Sequence, residues 1–314
     1  MGLAIGIDSG GTWARVALGN KRLTILKKCF RYVDTRSNDH FLKQLVEMVF
    51  QCCENDLSAV EGIGVAMAGR INMAEGTVVH SPHTSLKDIF IRKEFEDKLK
   101  KPLTLLNDNL AAAIAEWTIG SGVGHRNLVY VGIGTGIGGG VIADGKPLIG
   151  KHGNAHEIGH MIIDMDERIG CTCGGRGHWE AYTSGSGMPL YAKLLADRYQ
   201  GETPFLHKVR TGQIEAKEIF EAAKCHDRFA DFIIDECARL NAMAFANITN
   251  FYDPSLIAVG GGVAVKNADL VVGKAAARLA EYSFNAPPQV TATSLGEDAP
   301  LIGAMRSVYM PLVQ

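Results

Sequence analysis

The chain has 314 residues, 46% of them hydrophobic and 21% charged, with a formal net charge of −2 at pH 7. That composition belongs to a globular protein long enough to bury a sizeable core, and the near-neutral charge argues against nucleic acid as a partner. No apolar run approaches the roughly 20 residues of a membrane span, and the start, Met1-Gly2-Leu3-Ala4-Ile5, shows no basic segment or cleavage site, so a cytoplasmic protein is expected.

In chain order, residues 3–8 form an apolar strand that ends at Asp8 and runs into Ser9-Gly10-Gly11-Thr12. Residues 13–18 read as a second strand, so this is a hairpin with a glycine turn and not a strand-turn-helix phosphate loop. A third strand is expected over 22–32 and an amphipathic helix from His40 to Glu54. A strand at 61–67 ends in Ala68-Gly69-Arg70, and a charged helix follows at 91–100. A strand at 102–106 delivers Asn107-Asp108-Asn109 to an alanine-rich helix at 110–117.

The pattern then restarts. An apolar strand from Asn127 enters the run Gly132-Ile-Gly134-Thr135-Gly136-Ile-Gly-Gly-Gly140 and leaves as another strand. Two halves of similar order are expected, each presenting one glycine turn. The later chain reads as helices at about 181–196, 215–224 and 228–250. A strand at 256–259 then runs into Gly260-Gly261-Gly262, and a last helix begins near Ala299.

Glycine turns after apolar strands suit phosphates, because bare backbone N–H groups can converge on an anion. Thr12 and Thr135 would add hydroxyls. Asp8 beside such a turn makes sense if a divalent cation such as Mg²⁺ accompanies the phosphates. Asp108, at a strand end and helix start, reads either as a helix cap or as the general base for a hydroxyl nucleophile.

The densest chemistry lies in Gly153–Tyr182. His156-Glu157-Ile-Gly-His160 matches the zinc protease pattern H-E-x-x-H. Gly159 falls inside the helix that pattern needs, and Cys171 and Cys173 would then have no role. The alternative assigns His160, Cys171, Cys173 and His178 as four ligands of a closed, structural zinc, with Glu157 and Glu180 left to grip a polyhydroxylated ligand. A loop without metal is the plain reading beside it. Of the seven cysteines, the other five read as small buried hydrophobes.

These residues resemble the ROK family of sugar kinases and repressors, in the actin-like ATPase superfamily. Asp8-Ser-Gly-Gly-Thr12 and Gly134-Thr-Gly-Ile-Gly-Gly-Gly140 resemble its phosphate loops, and Gly260-Gly-Gly262 its adenosine-side loop. Glu157-Ile-Gly-His160 resembles the sugar motif E-x-G-H, and Cys171-Thr-Cys-Gly-Gly-Arg-Gly-His178-Trp-Glu180 the zinc motif C-x-C-G-x-x-G-C-x-E, with His178 in place of the third cysteine.

The resemblance implies an α/β, two-lobed actin-like ATPase (ribonuclease H-like) fold with a ligand cleft between the lobes. One lobe would span residues 1–110, completed by the segment 299–314, and the other 111–298. It implies MgATP, a structural Zn²⁺, and Asp108 as base for a sugar 6-hydroxyl. Gly69, Arg70, Asn107, Glu157, His160 and Glu180 would hold the sugar, with one ring nitrogen of His160 on the metal and one on the sugar. Asp8, Gly10, Gly11, Thr12, Gly134, Thr135, Gly136 and Gly260–Gly262 would hold the nucleotide. A homodimer or dimer of dimers is implied.

Gly69-Arg70 and Glu75-Gly76…His80-Ser81 resemble N-acylmannosamine kinases, which favours N-acetylmannosamine slightly over glucose. A glucokinase or a broad-specificity hexokinase is the alternative, and a non-catalytic sugar sensor a remoter one. No DNA-binding helix-turn-helix precedes Asp8, so the repressor branch is not expected.

Overall fold

In the computed structural model, residues 2–81, 84 and 86–310 are described. Strands β1 (Leu3–Ser9), β2 (Trp13–Asn20) and β3 (Ile25–Tyr32) form an antiparallel meander, followed by helix α1 (Asn38–Cys52). The third strand starts at Ile25 and not at residue 22, because 20–24 are taken up by a tight turn: the Asn20 side chain accepts from the amides of Arg22 and Thr24. Strand β4 (Val60–Met67) lies parallel to β1, and β8 (Leu103–Asn107) lies parallel to β4. Between them, β5 (Arg70–Asn72), β6 (Thr77–His80) and β7 (Lys87–Ile89) form a small antiparallel sheet ahead of helix α2 (Ile91–Leu99). Helix α3 (Asp108–Ile119) follows β8 directly.

The second sheet repeats the plan with β9 (Leu128–Ile133), β10 (Ile137–Ala143), β11 (Lys146–Pro147), β12 (Leu256–Gly260) and β13 (Gln289–Ala292). The strand orders are β3-β2-β1-β4-β8 and β11-β10-β9-β12-β13. Each is a meander of three strands with two more added in parallel beside the first, so the repeated glycine pattern reflects a repeated topology.

The helices of the second half are α4 (Glu180–Thr183), α5 (Gly187–Ala196), α6 (Pro204–Thr211), α7 (Ala216–Lys224) and the long α8 (Arg228–Tyr252). The single helix expected at 181–196 is thus broken at Ser184-Gly185-Ser186, whose backbone has other partners. After β12 come α9 (Gly262–Lys266), a π turn (Asp269–Gly273) and α10 (Lys274–Arg278), and near the end α11 (Ala299–Ser307).

Two compact units result. One comprises Met1–Gly124, Gly140–His156 and Glu297–Gln314, the other His125–Gly139 and Glu157–Gly296. The division falls after Gly124, where the sequence pattern suggested residue 110, and the hairpin 140–156 belongs to the first unit. Helix α3 packs on α11 so closely that a Cβ on Gly303 would lie 1.7 Å from the Ala111 carbonyl oxygen, which holds α3 in the first unit. Residues 311–314 of the expected C-terminal segment lie outside the described residues. Among the described residues no helix is long and apolar enough to cross a membrane.

Candidate functional site

Three parallel strands of the first unit end at one edge of its sheet. Ser9, Met67 and Asn107 are level in the register, so Asp8, the segment Ala68-Gly69-Arg70 and Asp108 all emerge there. Ligands of open α/β sheets bind beyond the carboxyl ends of such strands. Asp8 is 3% exposed and faces Arg15 across β1–β2, taking a 2.8 Å bond from its Nε. Arg15 is itself anchored by the Glu297 carbonyl at 2.7 Å. Burial raises the Asp8 carboxyl to about 6 against the pull of Arg15, and the charge of Asp108 pushes in the same direction as burial. The two carboxylates therefore sense each other.

The helix cap is Asn107, not Asp108. Its Oδ1 accepts from the amides of Asn109 at 2.9 Å and Leu110 at 3.3 Å. The side-chain oxygen of Asn107 is thus committed to structure, and the carboxylate of Asp108 at the first turn of α3 accepts from both the backbone amide and Nδ2 of Asn109, each at 2.9 Å. At the first glycine turn, among the described residues, the amides of Gly11 and Thr12 have no acceptor. Gly69 has φ of 108°, and Arg70 is exposed at the start of β5, opposite His80.

In the second unit, β9 and β12 are parallel with Gly132 level with Gly260, so Gly134-Thr135-Gly136 and Gly261-Gly262 leave one edge together. The first of these turns is braced from behind. Gly185 N donates to Gly134 O at 2.8 Å, and Ser186 donates to Thr135 O through its amide (3.1 Å) and its hydroxyl (2.7 Å). Glu180 Oε2 accepts from the Ile137 amide at 2.7 Å, and a Cβ on Gly136 would fall 2.4 Å from that oxygen, so a side chain there would displace the Glu180 carboxylate from its bond. Among the described residues the amides of Thr135 and Gly136 have no acceptor, which is the arrangement of an anion-binding nest.

The loop 153–183 is not a protease helix. Glu157-Ile-Gly-His160 closes as a single 3₁₀ turn, Ile158–His160. His156 is 1% exposed, with Nε2 3.1 Å from the Gly153 carbonyl, and is not part of the cluster that His160 joins. Gly159 presses on β10, where a Cβ would come 2.0 Å from the Ile137 carbonyl oxygen.

His160, Cys171, Cys173 and His178 do converge, with their ligand atoms all within 4.8 Å of one another. Cys171 Sγ is 3.9 Å from His160 Nδ1, and Cys173 Sγ is 3.3 Å from His178 Nδ1. Ligand atoms on a tetrahedral ion with bonds of about 2.0–2.3 Å stand roughly 3.3–3.8 Å apart, so the set can hold a metal ion. The other ring nitrogen of His160 points to Glu157, with Nε2 to Oε2 3.9 Å. Glu180 Oε1 lies 3.6 Å from Cys171 Sγ. Glu180 therefore joins the cluster to the glycine turn.

Several supports had no sequence signal. Trp179, fully buried, donates to Asn241 of α8 at 2.8 Å. Tyr182 donates to Asp164 and accepts from the Ile169 amide at 3.0 Å. Burial alone would raise the Asp164 carboxyl, but Arg168 and Tyr182 outweigh it and hold Asp164 well below the usual range. The bonds of Trp179 and Tyr182 pair residues far apart in sequence, so the local hints were the hydroxyls of Ser184 and Ser186, beside a glycine, and the Asp164–Arg168 pair.

The sequence pattern described as the ROK family matches residues 4–309. The chain belongs to the ROK family. A glucokinase of Aeropyrum pernix is 32% identical over 98% of this chain and 97% of its own length. Among solved structures, a ROK family glucokinase from Streptomyces griseus, in complex with glucose and AMPPNP, is 30% identical over 97% of this chain and 98% of that one, with a TM-score of 0.78. A ROK hexokinase from Thermus thermophilus has a TM-score of 0.83 at 24% identity, covering 98% of both chains. The fold is thus the two-sheet α/β fold of ROK sugar kinases, within the actin-like ATPases.

Proposed function

We propose that this ROK protein is an ATP-dependent hexose kinase that phosphorylates the 6-hydroxyl of glucose. The observation that carries the reading is Asp108. It stands at the carboxyl edge of the first sheet, next to the Asn107 that caps α3, and its charge acts on Asp8. The family supports sugar phosphorylation, and the glucokinase names of relatives at 30–32% identity support glucose.

Asp108 accepts the proton of the 6-hydroxyl as that oxygen attacks the γ-phosphorus in line. The amides of Gly11, Thr12, Thr135 and Gly136 hold phosphate oxygens, and Gly261 and Gly262 border the nucleoside. Asp8 would support the Mg²⁺ that comes with ATP, whose charge would neutralise the phosphates. Glu157, His160 and Glu180, with Asn107, hold ring hydroxyls. Among them His160 is oriented by having one ring nitrogen toward Cys171 and the other toward Glu157. His160, Cys171, Cys173 and His178 fit Zn²⁺, which would fix the loop 161–179 and take no part in the chemistry.

The lean of the sequence toward N-acetylmannosamine weakens on one observation. Glu75-Gly76 is the turn of the β5–β6 hairpin, with Gly76 at φ 66° against Arg92, so half of that resemblance has a structural cause. The test is ADP release with MgATP across a panel of sugars, with product position read by NMR. Glucose should give the highest kcat/KM and a 6-phosphate. A higher value for N-acetylmannosamine would replace glucose, and no turnover with any sugar would leave a sugar sensor.

A further inference from the structure

The first unit has a pocket with cationic side chains on an otherwise largely apolar lining at the other end of its sheet. It has a volume of about 390 Å³ and is bordered by Lys21, Arg22, Thr118, Ile119, Arg306 and Tyr309. Asn20, beside Lys21, pairs with Leu3 at the start of β1, whereas Asp8 lies near its end. At about 3.3 Å per residue the pocket is roughly 17 Å from the Asp8 carboxylate along the strand. It is therefore separate from the catalytic edge.

Its charge is not consumed internally. Lys21 is 2.9 Å from Glu61 and sits 5.4 Å over the Tyr309 ring. Among the described residues neither Arg22 nor Arg306 has an ion pair or side-chain hydrogen bond. Arg306 lies in the last turn of α11, where a cation also complements the helix dipole. The helix ends do not balance the site: the carboxyl ends of α3 and α11 bring roughly half a negative charge each. Against them and Glu61 stand three cations, which leaves the pocket net positive by about one charge.

The backbone that carries two of the cations is set before any ligand arrives. Leu23, buried, takes the left-handed conformation at φ 62°, and Asn20 accepts from Arg22 N and Thr24 N at 2.9 and 3.2 Å. The turn that carries Lys21 and Arg22 is thus fixed by its own backbone, and less ordering is needed on binding.

We propose that this pocket binds a small phosphate monoester, with the dianion between Arg22 and Arg306 and the organic part against Tyr309 and Ile119. Two guanidinium forks suit a phosphate better than a carboxylate-sized point contact would, and the volume suits a phosphorylated sugar. Helix α3 runs from Asp108 to Ile119, about 18 Å, so one helix joins the pocket to the proposed base. The proposal of a phosphorylated sugar as ligand rests on the kinase reading, since that reaction would supply it, whereas the anion site itself does not.

The test is calorimetric titration of the full chain, kept saturated with glucose and a non-hydrolysable ATP analogue. The probes are inorganic phosphate, glucose 6-phosphate and AMP, with and without the paired substitutions Arg22→Gln and Arg306→Gln. One phosphate-containing probe per chain should bind, at least tenfold more weakly in the double variant and more weakly as salt rises. Glucose 6-phosphate binding tighter than inorganic phosphate would support the sugar ester, and AMP binding tighter would replace it with a nucleotide. Unchanged binding in a double variant with wild-type circular dichroism and melting temperature would overturn the site, as would no binding of any probe at millimolar concentration. ADP release is measured separately, so loss of the kinase reading and loss of this site are distinguishable.

Discussion

The first sheet ends in carboxylates, and the second ends in amides. Asp8 and Asp108 stand at the carboxyl edge of β1 and β8, while Gly134–Gly136 and Gly261-Gly262 stand at the same edge of β9 and β12. The strand order is common to both, so the difference lies in what the turns were given. The first turn is supported through charge, by Arg15 and the Glu297 carbonyl. The second is supported through hydrogen bonds from Ser186, Gly185 and Glu180. Under the proposed function, the same topology would carry the proton-accepting and cation-facing carboxylates in the first unit alone, while both units offer turn amides to phosphate.

The strongest way to break that division is to remove the base. Asp108→Asn keeps the shape and the helix start, since Asn107 supplies the cap. We expect kcat to fall by about 10²–10⁴ while glucose affinity, read by calorimetry, stays within about tenfold. A variant with near-normal kcat would remove Asp108 from the chemistry and with it the contrast between the two edges.

The amide side is tested through its brace. Cys171→Ala takes one sulfur from the four-ligand set that touches Glu180. Metal analysis of the native chain should give one zinc, and the variant should lose it. Because Glu180 and His160 then lose their fixed positions, KM for glucose should rise by about 10–100-fold, with kcat at saturation changed far less. A fall in kcat alone would place this loop in the chemical step.

Asp8 gives the comparison a pH signature. Its carboxyl is raised from the usual 3.8 to about 6, mainly by burial. The folded chain therefore holds this proton more tightly than the unfolded chain. The stability it contributes is present below pH 3.8 and is lost as pH rises through 6. A gap of about two units corresponds to at most about 3 kcal/mol. Asp8→Asn cannot lose a proton, so its stability relative to the native chain should climb between pH 4 and 7 in urea titrations. The absolute difference also contains the Arg15 charge left without its partner, so the slope is the informative quantity. Saturating MgATP should shrink that slope, because a cation favours the ionised carboxyl. A flat difference with pH would mean that Asp8 is ionised throughout.

The parts of this site that were legible in sequence are those with short-range grammar. A glycine turn after an apolar strand is written in consecutive residues, as at Asp8–Thr12 and Gly134–Gly136. The Cys171-x-Cys173 spacing and the helix start at Asn107-Asp108 are equally local. What escaped was long-range pairing. Glu180 read as a sugar ligand, and nothing nearby showed its bond to the Ile137 amide 43 residues away. The stretch 181–196 was read as one helix across Thr183-Ser-Gly-Ser-Gly187, yet Gly185 and Ser186 leave the helix to bond the second turn. The H-E-x-x-H spelling was already set aside in sequence because Gly159 falls inside the helix it needs, but that this glycine packs on β10 was not legible. The small sheet β5–β7 was missed because its strands are three or four residues long, too short for an alternation to register.

The smallest expected effect bears on the sugar itself. Arg70 is exposed at the start of β5, and the hairpin that follows it is explained by its own turn. If Arg70 reads an N-acyl carbonyl, losing that one hydrogen bond costs about 0.5–1.5 kcal/mol, or roughly 2–13-fold in KM. Glucose offers no such carbonyl, so Arg70→Gln should leave its KM within about twofold. In a glucose kinase the variant is nearly silent for both sugars. A selective rise in KM for N-acetylmannosamine, in a chain that already prefers that sugar, would move the specificity to the first unit's edge. Silence for both would leave discrimination with Glu157, His160 and Glu180, where the second unit's amides and the metal-ligand cluster meet in one loop.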